Sequence, residues 1–235
     1  MLERYSRSLG LIDERSKASL EKALASVDYT RPVADVRDEV VRIMQTVSGA
    51  STSAAARLSA EFYDGLRAIF GFDDGFTALV DSVYDPKATD GAVRALAQNL
   101  VDGNVGKFQS GCIERLGSDT RKAANACVAK NAERDPRKPR YARVPMGSET
   151  CSFCIMLASR GFVYKNEKMA SHAHNDCDCR VVPSWDKSPE VEGYDPDYYL
   201  DVYNNPGAHP EVAEARNARR RELYAQRKDE TSRPE

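Results

Sequence analysis

Apolar residues recur at three- and four-residue intervals through the first half of the chain, the spacing that lines one face of a helix. Leu20, Leu24 and Val27 form the first stripe, with Asp13 or Ser16 as the expected cap and Pro32 ending it. Val36, Val40, Ile43 and Val47 form the second, with Asp35, Arg37, Asp38 and Arg42 off the stripe. Residues 48–53 are small and polar and read as a loop or a frayed helix. Leu58, Phe62, Leu66 and Ile69 follow and stop near Gly71, and Gly75 and Pro86 bracket a less regular piece. Thr89 is the expected cap for Val93, Leu96 and Leu100. Val105, Phe108 and Cys112 continue after Gly103. Ser118 is expected to open a last helix with Ala124, Cys127 and Val128 inward. The pattern predicts a mainly α, bundle-like N-terminal domain over 1–132. Cys112 and Cys127 lie on its apolar faces and read as small core residues.

The helical pattern breaks at 133. Residues 133–144 mix prolines with clustered Arg and Lys and read as a basic linker, either a solvated connector or a non-specific contact to DNA phosphates. Strand-like composition appears at 141–145, 162–164 and 180–183, and a helix can begin at 152. These predict a small α+β module over 145–186. Over 187–235 prolines punctuate an irregular segment, followed by a charged C-terminal helix at 211–228. Tyr194, Tyr198, Tyr199 and Tyr203 alternate there with Asp195, Asp197 and Asp201, and read as packing onto the module or as an exposed docking strip.

Chemistry is concentrated in one stretch. Four of the six cysteines and two of the three histidines lie between Cys151 and Cys179. Cys151-x-x-Cys154 and the later His174-x-x-Cys177-x-Cys179 are two close donor groups joined by a loop, the spacing of a zinc site. Cys151, Cys154 and Cys177 head the ligand set; His174 or Cys179 is the fourth. His172 trails, because His174 and Cys177 repeat the two-residue gap of the first pair. Two disulfides or buried core thiols are the plainer alternatives. Disulfides need an oxidising compartment, and Cys177 and Cys179 sit among Asn175, Asp176, Asp178 and Arg180 rather than apolar neighbours. Four protein ligands leave no coordination position for water, so such a zinc ion would be structural.

The same stretch resembles the Mu F-like, or head morphogenesis, minor head proteins of tailed phages, particularly those of actinobacterial phages and prophages. The resemblance rests on the C-x-x-C, on Ser159-Arg160-Gly161-Phe162, and on the His-x-x-Cys-x-Cys followed by Arg-Val-Val-Pro at 180–183. It covers roughly 145–185. The family's His-Pro-x-Cys-Arg-Cys is here His174-Asn175-Asp176-Cys177-Asp178-Cys179. The resemblance implies a structural minor capsid protein bound to the portal during head assembly, in contact with capsid or scaffold proteins. It places the protein in the virion, in the head interior or at the portal vertex, and in the host cytoplasm while heads assemble.

Composition narrows the remaining classes. A net charge of −2 gives no global attraction to nucleic acid or membrane. The first residues carry charges every few positions and do not read as a signal peptide. No stretch approaches the ~18 apolar residues of a membrane span, so no membrane partner is expected. A capsid maturation protease needs a nucleophile, base and orienting group in mutual reach. Here two histidines sit in the metal stretch, His209 lies in a Pro-rich loop, and no G-x-S-x-G occurs. A metal nuclease would need one His held outside an open metal site. A zinc-stapled DNA-binding module suits the basic linker and the C-terminal arginines, but not the tyrosine–aspartate run.

Overall fold

The computed structural model describes residues 1–147, 150–166, 179–214, 217–218 and 221. The chain is mainly helical with one small sheet. Helices α1 (Leu2–Ala25), α2 (Val33–Ile69), α3 (Pro86–Leu96), α4 (Gln98–Val101) and α5 (Val105–Arg134) come first. Then follow β1 (Arg140–Val144), α6 (Ser152–Ala158), β2 (Arg180–Ser184), α7 (Pro196–Asn204) and a 3₁₀ turn at Pro206–Ala208.

Several boundaries differ from the sequence expectation. Helix α1 starts at Leu2, so Asp13 and Ser16 lie inside it. Asp13 instead pairs with Lys17 on its own helix and Arg121 on α5. Residues 48–53 are neither loop nor frayed end. They lie in the middle of α2, about 55 Å long at 1.5 Å per residue, and Ser48, Ser51 and Thr52 are buried. The reason is packing: α2 and α5 meet along a seam of small side chains, Ala55, Ala56 and Ala60 against Ala124 and Ala129. The hydroxyls that fit there turn inward. Thr52 donates to the Ser48 carbonyl at 2.7 Å, Ser59 to that of Ala55 at 2.7 Å, and Ser51 meets the Thr120 hydroxyl at 2.7 Å. Buried hydroxyls satisfied in this way add little cost, and a pattern tuned to large apolar residues does not see them. Ser118 too is buried, inside α5 rather than opening a helix. The cap of α5 is Asn104, whose side chain accepts from the Lys107 amide. The cap of α3 is Asp85, with Pro86 at the first helical position, and not Thr89.

The irregular piece before α3 is an extended strap laid over the bundle. Its Leu79 amide donates to Asn131 Oδ1 at 2.8 Å, and its carbonyl accepts from Asn131 Nδ2 at 2.9 Å. Asp81 beside it pairs with Lys130 and Arg134. One side-chain amide on α5 thus replaces a neighbouring strand.

Strands β1 and β2 are antiparallel, with Arg140 opposite Ser184 and Val144 opposite Arg180. The strand expected at 162–164 is reduced to one bridge, Tyr164 to Tyr141, whose amides and carbonyls exchange bonds at 2.9 and 3.2 Å. A two-stranded ribbon is marginal alone, and this one is covered on both faces. Tyr141 and Val181 join Tyr5, Leu9, Phe62 and Leu157 in one core cluster. Ala142, Val144 and Val182 face Ala158 and Tyr194 in another. A second cluster within the helices gathers Leu20, Leu24, Val40, Met44, Phe108 and Leu116. Residues 187–210 are less irregular than expected: Asp195 caps α7, with Pro196 at its first position. Helical backbone resumes at 210–214, 217–218 and 221, where the charged C-terminal helix was expected; the rest of that expectation lies outside the described residues.

Candidate functional site

Helix α6 and strand β2 bring the first and last predicted ligands together. Cys151 caps α6, its Sγ accepting from the Cys154 amide at 3.4 Å. One turn on, Cys154 points inward and is 1% exposed. Cys179, also 1% exposed, immediately precedes β2 and packs against both. Three cysteines from the two ends of a 29-residue stretch therefore pack in one small cluster.

Cys179 is held from outside. Asn125, buried in the middle of α5, donates through Nδ2 to the Cys179 carbonyl at 3.0 Å and accepts from the Val181 amide at 3.0 Å. This residue escaped the sequence reading. Its signal is an Asn in the otherwise small, apolar run 123–129, where an unpartnered amide would be costly. The far side is closed by tyrosines. The Tyr194 hydroxyl donates to the Ala158 carbonyl at 2.6 Å, and burial pushes that hydroxyl's pKa up. Tyr199 packs beside it, whereas Tyr198 and Tyr203 stay exposed. The tyrosine run is thus divided between packing and surface.

His172, His174 and Cys177 fall in 167–178, outside the described residues. Among the described residues, no group of three or more His, Cys, Asp or Glu side chains is arranged to hold a metal ion. The three cysteines are the right chemistry for zinc, and the donor needed to complete a tetrahedral set would come from 167–178. Cys112 and Cys127 play no part there. Both are buried in the helical core; burial raises the Cys112 thiol to about 12, and Cys127 donates to the Ala56 carbonyl at 3.2 Å.

The third histidine, His209, lies between two carboxylates, Nε2 2.7 Å from Asp201 and Nδ1 3.3 Å from Glu211, with the Tyr198 ring edge-on at 5.4 Å. Its ring nitrogens thus face acceptors rather than a nucleophile. No described helix is long and apolar enough to cross a membrane.

No curated protein and no solved structure matches the chain. A family model does, that of the VG15 protein, over residues 1–206. That match takes in the bundle, the linker, the sheet, the three clustered cysteines and α7, and on it the chain belongs to the VG15 family of phage proteins.

Proposed function

We propose that the protein is a minor structural component of the phage head, bound to the portal during assembly and in contact with capsid or scaffold proteins. Its C-terminal module is stapled by one structural zinc ion. Cys151, Cys154 and Cys179 supply three ligands, and Cys177 or His174 the fourth. The observation that carries this reading is the convergence of the three cysteines at the joint of α6 and β2. It favours Cys179 as a ligand beside the first pair, where the spacing alone left it level with His174. Membership of a phage family supports the setting. Exposed apolar side chains on the helical part, Ile69, Leu79, Val80 and Val101 among them, suit packing in an assembly.

Protein purified without added metal is expected to carry one zinc per chain by elemental analysis, and Cys154→Ser or Cys179→Ser to lose it. Zinc in such modules contributes on the order of 10 kcal/mol to folding. A fully folded, metal-free protein removes the zinc half of the proposal. Co-expression with the portal of the same genome tests the other half, which fails if the two do not co-purify. Specific cleavage of capsid precursor or plasmid that is lost in His209→Ala would replace the structural reading with an enzymatic one.

A further inference from the structure

We propose that a cationic hollow at the open end of the β1–β2 ribbon grips the phosphate backbone of duplex DNA. The end rung of the ribbon, Arg140 opposite Ser184, sends two chain segments out side by side. Between them lies a hollow of about 320 Å³. Arg137, Lys138 and Arg140 line it from the linker, and Lys187 from the turn after β2; all four are exposed. Among the described lining residues the one carboxylate is Asp186, which already accepts the Ser188 amide at 3.1 Å. Asp186 keeps its charge, and Arg137 is paired through Nε with the neighbouring Asp74 at 2.6 Å, so Lys138, Arg140 and Lys187 remain in excess over Asp186. The local field is therefore positive on a chain whose net charge is −2, so attraction of an anion here is a property of the site and not of the whole molecule.

The chemistry of the walls selects among anions. The hollow is open and polar, at the small end of the ~300–1,000 Å³ range of enclosed ligand sites, which suits a ligand that passes over it. Trp185 borders it but is not a platform for an unstacked base. Its Nε1 donates to Asp135 at 3.2 Å and its ring is wedged against Tyr63, Phe70 and Phe72. The other lining ring, Phe162, is set edge-on against Tyr194 at 6.2 Å; stacking on single strands needs an available aromatic face, so readout here is of phosphates, without base specificity. A duplex presents one negative charge per ~1.7 Å of axis, a density that an acidic peptide does not match. Prolines flank the cations, Pro136 and Pro139 on one side and Pro189 on the other. They limit the chain entropy lost when the cations engage.

The test is binding of a fluorescent 20-base-pair duplex of arbitrary sequence to the full chain, followed from low to physiological salt. Arg140→Glu with Lys187→Glu is compared with Lys22→Glu and Lys107→Glu, an equal charge change at exposed positions in α1 and α5. The expected result is at least about tenfold weaker binding in the first pair, with a salt slope shallower by about two, and little change in the second. Circular dichroism checks that each variant is folded. Should the Glu variants misfold, Arg140→Gln with Lys187→Gln carries the same comparison. Equal losses in both pairs, no duplex binding by the parent at low salt, or a poly-glutamate peptide binding as tightly as the duplex would each overturn the proposal, the last in favour of an acidic protein partner.

Discussion

At Asp135 four donors converge on a side chain with no solvent exposure. Tyr63 donates at 2.9 Å, Trp185 at 3.2 Å and the Arg137 amide at 2.8 Å, and the buried Arg67 guanidinium completes the set. Arg67 in turn lies against the rings of Phe72, Phe76 and Trp185. A buried charge is tolerable only when paired and hydrogen-bonded, so Asp135→Ala, which takes one of Arg67's two carboxylate partners and leaves the Tyr63 and Trp185 donors unmet, should cost about 3–5 kcal/mol in urea unfolding. Asp135→Asn should cost less. An unchanged midpoint in the Ala variant would remove Asp135 as the pivot between α2 and the linker. His209 gives the residue-scale pH prediction. The hydrogen bond to Asp201 first, and that to Glu211 next, raise its pKa above 6.5. A group with a raised folded pKa stabilises fully below its unfolded value, and that contribution fades as pH rises through the folded value. The turn that joins α7 to the following helix should therefore be held more firmly at pH 6 than at pH 8. An NMR titration of the His209 ring should give a pKa above 6.5, lowered by Asp201→Asn; a value unmoved by that substitution would contradict the geometry.

Among the elements, α5 organises the fold through two asparagines, each bonded through its side-chain amide to the backbone of another segment. Asn125 clamps the chain at Cys179 and Val181, and Asn131 clamps the strap at Leu79. An unpaired buried amide costs about 1–3 kcal/mol. Asn131→Ala should destabilise by that amount and, in hydrogen exchange, speed the Leu79 amide while leaving Val181 protected. Asn125→Ala should do the converse. Equal acceleration of both amides in either variant would mean that the clamps are not local. These clamps mark the limit of what the sequence discloses. The apolar stripes, the cysteine spacing and the strands around it are legible because each is periodic or pairwise in the chain. The long continuous α2 and α5 are not, since their middles are built from Ser, Thr and Ala, residues that suit a loop equally well until a partner helix approaches. Asn125 and Asn131 are silent for a related reason: a polar residue in a helix announces burial only once the strand that it serves has been located.

For the whole molecule, the telling feature is that the bundle and the C-terminal module share a core. Tyr5 and Leu9 of α1, Phe62 of α2, Cys127 and Val128 of α5, Leu157 of α6, Tyr164 and Val181 form one cluster. A cavity opened on the module side is therefore felt by the helices. Leu157→Ala should cost about 2–5 kcal/mol, and calorimetry should show one transition moved down by about 2–4 °C per kcal/mol for a chain of this length. Separate loss of a small early transition, with the main one unmoved, would indicate a module that melts alone.

That arrangement also fixes an order of events on the ribosome. The N-terminal helix emerges first, yet Tyr5 and Leu9 find Leu157, Tyr164 and Val181 only after some 150–180 further residues have been made. At translation rates of ~5–20 residues per second, the Tyr5–Leu9 end of α1 waits on the order of ten seconds for its last partners, while Leu20 and Leu24 can already pack on Val36, Val40 and Met44 of α2. Nascent chains stalled before β2 should accordingly be sensitive to protease in the first turns of α1 and less so around Leu20 and Leu24, and protection at Tyr5 and Leu9 should rise once β2 clears the exit tunnel.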